Sequence, residues 1–121
     1  MKKSSWPDYS ESEINAVSKI IKSNKVNYWT GEEGQKFEIE FANFCKTKYA
    51  VAVANGTLAL ELALYSIGIC SGDEVIVTSR SYVASVSCIV RFDAKPVFVD
   101  VDIDSQNIKC EEIEKNISKK T

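Results

Sequence analysis

The sequence of 121 residues contains no histidine. Catalysis by a serine–histidine–aspartate triad or a cysteine–histidine pair is therefore excluded within it, and so are metal sites built on imidazole. The four cysteines form no Cys-x-x-Cys pair, which argues against a zinc ribbon or a thioredoxin-like motif. Each has apolar neighbours or lies near the end of a predicted element, which favours buried thiols in a reducing cytosol over disulfides. The four are Cys45, Cys70, Cys88 and Cys110.

The sequence also lacks a long apolar run and an excess of basic residues. No run reaches the ~18 residues that a membrane-spanning helix requires. The formal net charge is -2, so no basic field is available for nucleic acid. The basic start, residues 1–7, has no apolar stretch of the kind found in signal peptides. We therefore predict a cytoplasmic protein whose partners include neither nucleic acid nor membrane.

Two helices are predicted in the first part of the sequence, residues 1–48. Ser10 and Glu13 form a capping box, in which the serine hydroxyl and the glutamate carboxylate satisfy unpaired backbone amides at a helix start. The first helix continues from this box as an apolar stripe. A second helix is predicted at about residues 33–46, where phenylalanines recur at helical spacing. Between them, residues 26–31 have no helical period and are predicted to form a loop.

From residue 49 to residue 121 short apolar strands alternate with helices. This alternation predicts an α/β fold in which the N-terminal helices are followed by β-α-β-α-β, with a mostly parallel sheet and right-handed crossovers. Few charges occur between residues 50 and 79, and the helix within this stretch is apolar nearly all round, so both are predicted to be buried. The predicted elements are strands at 49–54, 74–78 and 95–101 and helices at 57–69, 81–92 and 111–117.

The turn from Val53 to Leu58 joins the end of a predicted strand to a glycine and the start of a helix. Free amides at the amino end of a helix and the helix dipole attract anions. Gly56 permits close approach of a ligand, and Thr57 can add a hydroxyl donor. The same residues also suit a purely structural turn, and the sequence matches neither the Walker pattern nor the dinucleotide fingerprint. A phosphate site and a structural cap therefore both remain open.

Two further polar segments follow predicted strands. After the second strand, Tyr82 lies where an aromatic ring can stack on a planar ligand or cover the surface of a helix. After the third strand come three alternating acids, Asp100, Asp102 and Asp104. The residues beyond them lack the glycine and the distal glutamate of a calcium loop, which favours a solvated strand end. We therefore predict no metal-binding residues.

Taken together, these segments resemble the DegT-type (StrS-like) sugar aminotransferases, a branch of the fold-type I enzymes that use pyridoxal 5'-phosphate (PLP). The matching segments occur in order through nearly the whole sequence, and their order and spacing carry the resemblance. They are Trp6-Pro7, Trp29-Thr30-Gly31 with Gly34, Phe37-Glu38 with Phe41-Ala42, Ala52 to Thr57, Leu60 with Leu62-Ala63-Leu64, Gly72 to Val77, Ser81 to Ala84, and Ala94 to Asp102. The resemblance implies that residues 49–121 form the first part of a PLP-binding large domain, after a helical segment of residues 1–48.

The resemblance also implies roles for individual residues. Gly56, Thr57 and Leu58 would hold the PLP phosphate, with Thr57 and the Leu58 amide as donors. Tyr82 would stack on the pyridine ring, at a place that the family usually gives to Phe, Trp or Tyr. A loop would lie near the sugar substrate, either within its own subunit or across a dimer interface. That loop consists of Tyr28, Trp29, Thr30 and Gly31.

The activity implied by the resemblance is PLP-dependent transfer of an amino group from an amino acid such as glutamate to a nucleotide-linked keto-sugar. Such an enzyme would serve the synthesis of nucleotide sugars and cell-surface polysaccharide as a cytoplasmic homodimer. Three alternatives stay open. They are a PLP-dependent sugar dehydratase of the same family with histidine in place of lysine, a non-catalytic sensor or binding module, and an α/β domain without a ligand.

The residues that carry the chemistry in this family are not matched in the sequence. The Schiff-base lysine, the acid that contacts the pyridine nitrogen and the Gln or His that follows it all come later than the third predicted strand. No catalytic residue is therefore assigned, and the chain by itself is expected to be an inactive N-terminal fragment. In the family, later strands lie between the first strand and the second, so we expect unpaired strand edges here.

Overall fold

The structure of the protein, a computed structural model, describes residues 6–121. Most of the basic start that was predicted not to be a signal peptide, residues 1–5, lies outside the described residues. The Cα positions form two compact units, Met1–Ala52 and Val53–Thr121. The division into residues 1–48 and 49–121 stays a prediction about the domains of the folded protein.

The first unit contains two helices, α1 (Glu11–Lys22) and α2 (Glu33–Cys45). The predicted capping box begins α1. The Ser10 amide donates to Glu13 Oε2 at 2.7 Å, and the Glu13 amide donates to Ser10 Oγ at 3.3 Å. The α2 helix ends where Lys46 adopts a left-handed conformation, with a φ of 55°. Both helices predicted for this part of the sequence are present.

The second unit contains α3 (Gly56–Ser66), β1 (Glu74–Thr78), α4 (Ala84–Val90), β2 (Lys95–Val99) and α5 (Cys110–Asn116). The two strands pair in parallel, in a register that runs from Glu74 opposite Lys95 to Thr78 opposite Val99. The α4 helix forms the crossover between them, as a parallel pair requires. The predicted α/β fold is confirmed.

A small core lies between α4 and the sheet. Ile89 is 1% exposed and packs in a buried cluster with Cys88 and Ala94. Half-buried apolar side chains surround this cluster, namely Leu64, Ile69, Val75, Val77 and Phe92. The core therefore consists of side chains from α3, β1 and α4 and their connections that pack against one another.

The α3 and α4 helices pack against each other. The ring of Tyr65, in the last turn of α3, stacks on the ring of Phe92, just after α4, with their centroids 6.5 Å apart. Arg91 Nε lies 3.0 Å from Glu61 Oε2 between the same helices. These contacts bring the carboxyl ends of the two helices together.

The starts of β1 and β2 are tied to each other and to the last residues of the chain. Glu74 Oε1 lies 2.9 Å from Lys95 Nζ, and Glu74 Oε2 accepts the Ser118 hydroxyl at 2.7 Å. The Glu74 amide donates to the Lys120 carbonyl at 2.8 Å. The hydrogen bond from Lys95, followed by the one from Ser118, lowers the pKa of Glu74.

The first predicted strand, residues 49–54, is not a strand in the structure. Residues 49–53 belong to no helix or strand, and neither β1 nor β2 pairs with them. A β-strand exists through hydrogen bonds to a neighbour, so an apolar segment without a neighbour does not become one. This prediction was wrong because apolar composition does not supply the partner.

The burial predicted for residues 50–79 is also wrong. In α3, Leu58, Leu60 and Leu62 are 44%, 41% and 47% exposed, because α4 covers only one side of the helix. The β1 strand is half-buried along its whole length. Within residues 6–121, no helix is both long enough and apolar enough to cross a membrane.

The cysteines follow the prediction only in part. All four are free thiols; Cys88 is buried, whereas Cys45, Cys70 and Cys110 are exposed. The prediction of buried thiols is therefore wrong for three of them. Cys45 and Cys110 lie at helix ends, and Cys70 lies in the connection between α3 and β1. The Cys70 thiol donates to Asp73 Oδ2 at 3.4 Å, and this hydrogen bond raises the pKa of Cys70.

Candidate functional site

The α3 helix begins with an asparagine cap. Asn55 is extended, with a φ of -165° and a ψ of 170°, and its Oδ1 accepts the Leu58 amide at 3.0 Å. Its carbonyl accepts the Ala59 amide at 3.1 Å, which begins the helical ladder. Asparagine is favoured here because its side chain replaces a missing backbone partner. The Leu58 amide, which was predicted to bind phosphate, is therefore already held by Asn55.

Three other donors in the first turn of α3 remain open. They are the backbone amides of Gly56 and Thr57 and the Thr57 hydroxyl, none of which has an acceptor among residues 6–121. A Cβ placed on Gly56 would meet no atom within 4 Å, so the space beside the turn is free. Open amides at the start of a helix, together with the helix dipole, form a site that suits a phosphate group.

Tyr82 lies in the connection between β1 and α4, and its side chain is 76% exposed. It comes just before the amino end of α4, and Gly56 lies at the amino end of α3. Tyr82 thus follows the carboxyl end of β1, and in parallel α/β sheets ligands bind beyond the carboxyl ends of the strands.

Arg80 lies on the same connection and was not assigned a role from the sequence. Its amide donates to Thr78 Oγ1 at 3.1 Å, and its guanidinium donates to Gln106 Oε1. Gln106 has a φ of 61°, in the loop that follows β2. No sequence pattern signals this contact, because the two residues are 26 positions apart.

Asn27 organises the loop that was predicted to lie near a substrate. Its Oδ1 accepts the amides of Trp29 and Thr30, each at 3.0 Å, and its carbonyl accepts the Gly31 amide at 2.8 Å. Such a turn fixes the backbone locally, as asparagine side chains commonly do. The Trp29 side chain is left 90% exposed.

Two glycines in and beside this loop lie where a side chain does not fit. A Cβ on Gly31 would overlap the Lys25 carbonyl oxygen and lie 3.1 Å from the Asn27 carbonyl oxygen. A Cβ on Gly34 would lie 3.1 Å from Cδ2 of the Tyr28 ring. Gly34 therefore allows α2 to pack closely against Tyr28.

Glu38 is the functional candidate that sequence reasoning missed. Its Oε2 accepts the Tyr28 hydroxyl at 3.0 Å, and its Oε1 accepts the Ala52 amide at 2.8 Å. The hydrogen bond from Tyr28, with the added effect of the nearby carboxylate charge, raises the pKa of the Tyr28 phenol. Glu38 is part of the segments that carry the family resemblance, but only the structure gives it these partners.

The structure divides the predicted substrate residues between two cavities. Tyr28 lines a cavity of about 340 Å³ together with Gln35, Glu38 and Lys48. Thr30 and Gly31 line a smaller one, of about 220 Å³, beside the end of α1. Tyr28 is therefore close in sequence to Thr30 and Gly31 but lines a different cavity.

The acidic segment after β2 forms a turn. Asp102 Oδ1 accepts the amides of Asp104 at 3.1 Å and of Ser105 at 2.8 Å. The hydrogen bonds from Ser105 lead the interactions that lower the pKa of Asp102. Across residues 6–121, no three acids or cysteines come together in a way that could hold a metal ion.

Replacing Asn55 with alanine should lower the free energy of unfolding of the unit Val53–Thr121 by about 1 kcal/mol, within the 0.5–2 kcal/mol range for lost caps. The Leu58 amide loses its acceptor in this variant. Urea unfolding followed by far-ultraviolet circular dichroism measures the change. Asn55→Asp keeps an acceptor and serves as the control, and an alanine variant as stable as the original chain contradicts the capping role.

The comparisons with known proteins agree with one another on the family of this chain. The family model described as the DegT/DnrJ/EryC1/StrS aminotransferase family matches residues 7–121. The GDP-perosamine synthase of Vibrio cholerae is 46% identical over 96 residues, which cover 77% of this chain and 26% of that protein. The solved aminotransferase from Psychrobacter cryohalolentis is 50% identical with a TM-score of 0.93, over 96% of this chain and 29% of that one.

A dehydratase is among the structural relatives as well. The GDP-4-keto-6-deoxy-D-mannose-3-dehydratase of E. coli, solved with bound hydrated PLP, is 26% identical with a TM-score of 0.84. The match covers 93% of this chain and 30% of that structure. The chain thus spans less than a third of the length of these relatives.

Proposed function

Because the chain belongs to the DegT/DnrJ/EryC1/StrS aminotransferase family, we propose that it forms the N-terminal part of a PLP-dependent sugar aminotransferase. The complete enzyme would transfer an amino group from an amino acid to a nucleotide-linked keto-sugar. The observation that carries this proposal is the open first turn of α3, a helix of a parallel α/β unit. The cytoplasmic location and the homodimer stay predictions.

The first turn of α3 fits the phosphate of PLP. Two free amides, at Gly56 and Thr57, and the Thr57 hydroxyl supply three donors to one anionic group. Hydrogen bonds to a charged acceptor are stronger than neutral ones, so this turn can hold the cofactor without a cation in the turn itself. The Leu58 amide joins the site only if the Asn55 side chain releases it.

Tyr82 supports the ring of the cofactor in this proposal. Its exposed side chain offers a flat surface in the connection that follows β1, and aromatic rings pack favourably in offset or edge-on arrangements. PLP, when bound, supplies the electron sink that amino-group transfer needs. No lysine of this chain is assigned the covalent link to it.

A dehydratase is the second candidate, favoured by the E. coli relative, which is named as a dehydratase, an enzyme that removes water and not one that transfers an amino group. The two activities differ in whether the nitrogen of the amino-acid donor is transferred to the sugar. The product of the complete reading frame should be incubated with a nucleotide-linked keto-sugar and ¹⁵N-glutamate. Label recovered in the sugar supports the aminotransferase, and a deoxygenated sugar without label supports the dehydratase.

Replacing Thr57 with alanine should weaken binding of the cofactor by about 1.5–3 kcal/mol, the usual worth of a hydrogen bond to a charged group. This corresponds to a Kd increase of roughly 10- to 150-fold. Pyridoxine 5'-phosphate is the suitable probe because it keeps the ring and phosphate but lacks the aldehyde that reacts with surface lysines. Equilibrium dialysis of the 121-residue chain measures Kd.

Thr57→Ser retains the hydroxyl and is the matched control. Its affinity should stay close to that of the unmodified chain. Equal affinity of the alanine variant and the unmodified chain would show that Thr57 serves only the start of the helix, and it would remove the main support for the proposed cofactor site.

A further inference from the structure

The hydroxyl of Tyr28 has its only proton committed to Glu38. A phenol donates one hydrogen bond and can accept others, whereas an ionised carboxylate only accepts. The 3.0 Å contact between the Tyr28 hydroxyl and Glu38 Oε2 therefore has one possible direction. The other carboxylate oxygen, Oε1, takes the Ala52 amide at 2.8 Å, and an amide N–H also donates in one direction only.

The surroundings of this pair hold it in place. No lysine or arginine among residues 6–121 forms an ion pair with Glu38, so the two neutral donors are its partners. The Tyr28 ring lies against Gly34, where even a Cβ would come within 3.1 Å of it. The phenol is therefore fixed both by its hydroxyl and by its ring.

Tyr28 lines a cavity of about 340 Å³. That volume falls within the range of small-molecule sites, about 300–1,000 Å³. Tyr28 is 47% exposed, so a ligand in the cavity can reach it. With its proton held by Glu38, the oxygen can offer such a ligand only its lone pairs.

We propose that Tyr28 is a specificity-determining residue that recognises a donor group, a hydroxyl or amino group on the sugar of a nucleotide-linked substrate. It discriminates against a keto oxygen or phosphate oxygen at the same place, because two acceptors facing each other repel. This inference rests on the proposed function and on the family resemblance, which implies that the loop lies near the sugar substrate. It adds which chemical group the loop selects and why.

Glu38→Gln reverses the direction of the hydrogen bond with little change in shape. The Ala52 amide needs an acceptor, so the glutamine oxygen turns toward Ala52 and its NH₂ group faces Tyr28. The NH₂ group then donates to the phenol oxygen, and the phenol proton becomes free to bind another acceptor. Tyr28 becomes a donor to the ligand where it was an acceptor.

The first experiment follows the phenol directly in the 121-residue chain. Tyrosine labelled with ¹³C at Cζ gives one NMR signal per tyrosine, and Tyr28→Phe identifies the signal of Tyr28. The Glu38 hydrogen bond and charge raise the pKa of Tyr28, so its titration should move to lower pH in Glu38→Gln. An unchanged titration overturns the proposal, because Tyr28 then does not donate to Glu38.

The second experiment tests the ligand group. GDP-mannose and UDP-glucose are titrated into the same chain and followed by the amide NMR signals of residues 27–31. Each is compared with analogues in which the sugar hydroxyl at C3 or C4 is replaced by fluorine, which cannot donate. The original chain should prefer one hydroxyl over its fluorine analogue about three- to tenfold, the loss expected for one hydrogen bond.

Tyr28→Phe should remove that preference, because phenylalanine offers the sugar hydroxyl no acceptor. A preference that persists in this variant overturns the proposal. If neither nucleotide sugar affects the loop signals, the ligand class and the assignment of the loop to the sugar both fall. The cofactor part of the proposed function is tested separately, by the Thr57 variants.

Discussion

Replacing Ile89 with alanine is expected to lower the free energy of unfolding of the unit Val53–Thr121 by about 2–5 kcal/mol. Ile89 is 1% exposed and packs between the sheet and the neighbouring helix, in contact with Cys88 and Ala94. Removing its outer carbons leaves a cavity that the short strands cannot easily close. Few other side chains of the unit are buried, so little other packing can offset the lost stability.

Val90 provides the matched control because it follows Ile89 on the same helix but is 57% exposed. Val90→Ala should change stability by no more than about 0.5 kcal/mol, as surface substitutions usually do. Urea unfolding followed by circular dichroism gives both values under the same conditions. Equal effects of the two substitutions would show that the core is not centred on Ile89.

Replacing Gly31 with alanine is expected to destabilise the unit Met1–Ala52 by about 1–3 kcal/mol, the typical cost of overpacking. The new Cβ would overlap the Lys25 carbonyl oxygen. The backbone cannot simply withdraw, since the Gly31 amide is held by the Asn27 carbonyl at 2.8 Å. The loop must therefore rearrange, and the neighbouring Trp29 must move with it.

Tryptophan fluorescence measures this change, because Trp6 and Trp29 both lie in the first unit. Gly34→Ala is the graded comparison: its Cβ would meet a tyrosine ring at 3.1 Å, and a ring can tilt away. An alanine at position 31 that is tolerated as well as one at position 34 contradicts the steric argument.

The local features of the fold follow from the sequence with little ambiguity. Ser10 and Glu13 form their predicted capping box because both partners lie within one helical turn. The alternation of helices and strands predicts the α/β unit, because the periodicity of apolar residues indicates which face of each element is apolar. Residues 49–54 show the limit: their composition suits a strand, but pairing depends on a second segment that composition does not specify.

The candidate site likewise has features that the sequence predicts and features that it does not. The open turn at Gly56 and Thr57 is visible in the sequence, since a glycine and a threonine follow an apolar segment and precede a helix. That Asn55 engages the Leu58 amide follows from capping chemistry, although a phosphate donor was expected there. The contacts of Glu38 were not predictable, because its partners are 10 and 14 residues away and lie outside its helix.

The parallel pairing of β1 and β2 has a consequence for how the second unit forms. Glu74 and Lys95, which tie the starts of the two strands, are 21 residues apart in sequence. Closing a flexible loop of this length costs entropy that grows only slowly with its length, but the cost is met before any strand hydrogen bond forms. The crossover helix and both strands are therefore expected to gain protection against hydrogen exchange together, as one cooperative unit and not strand by strand.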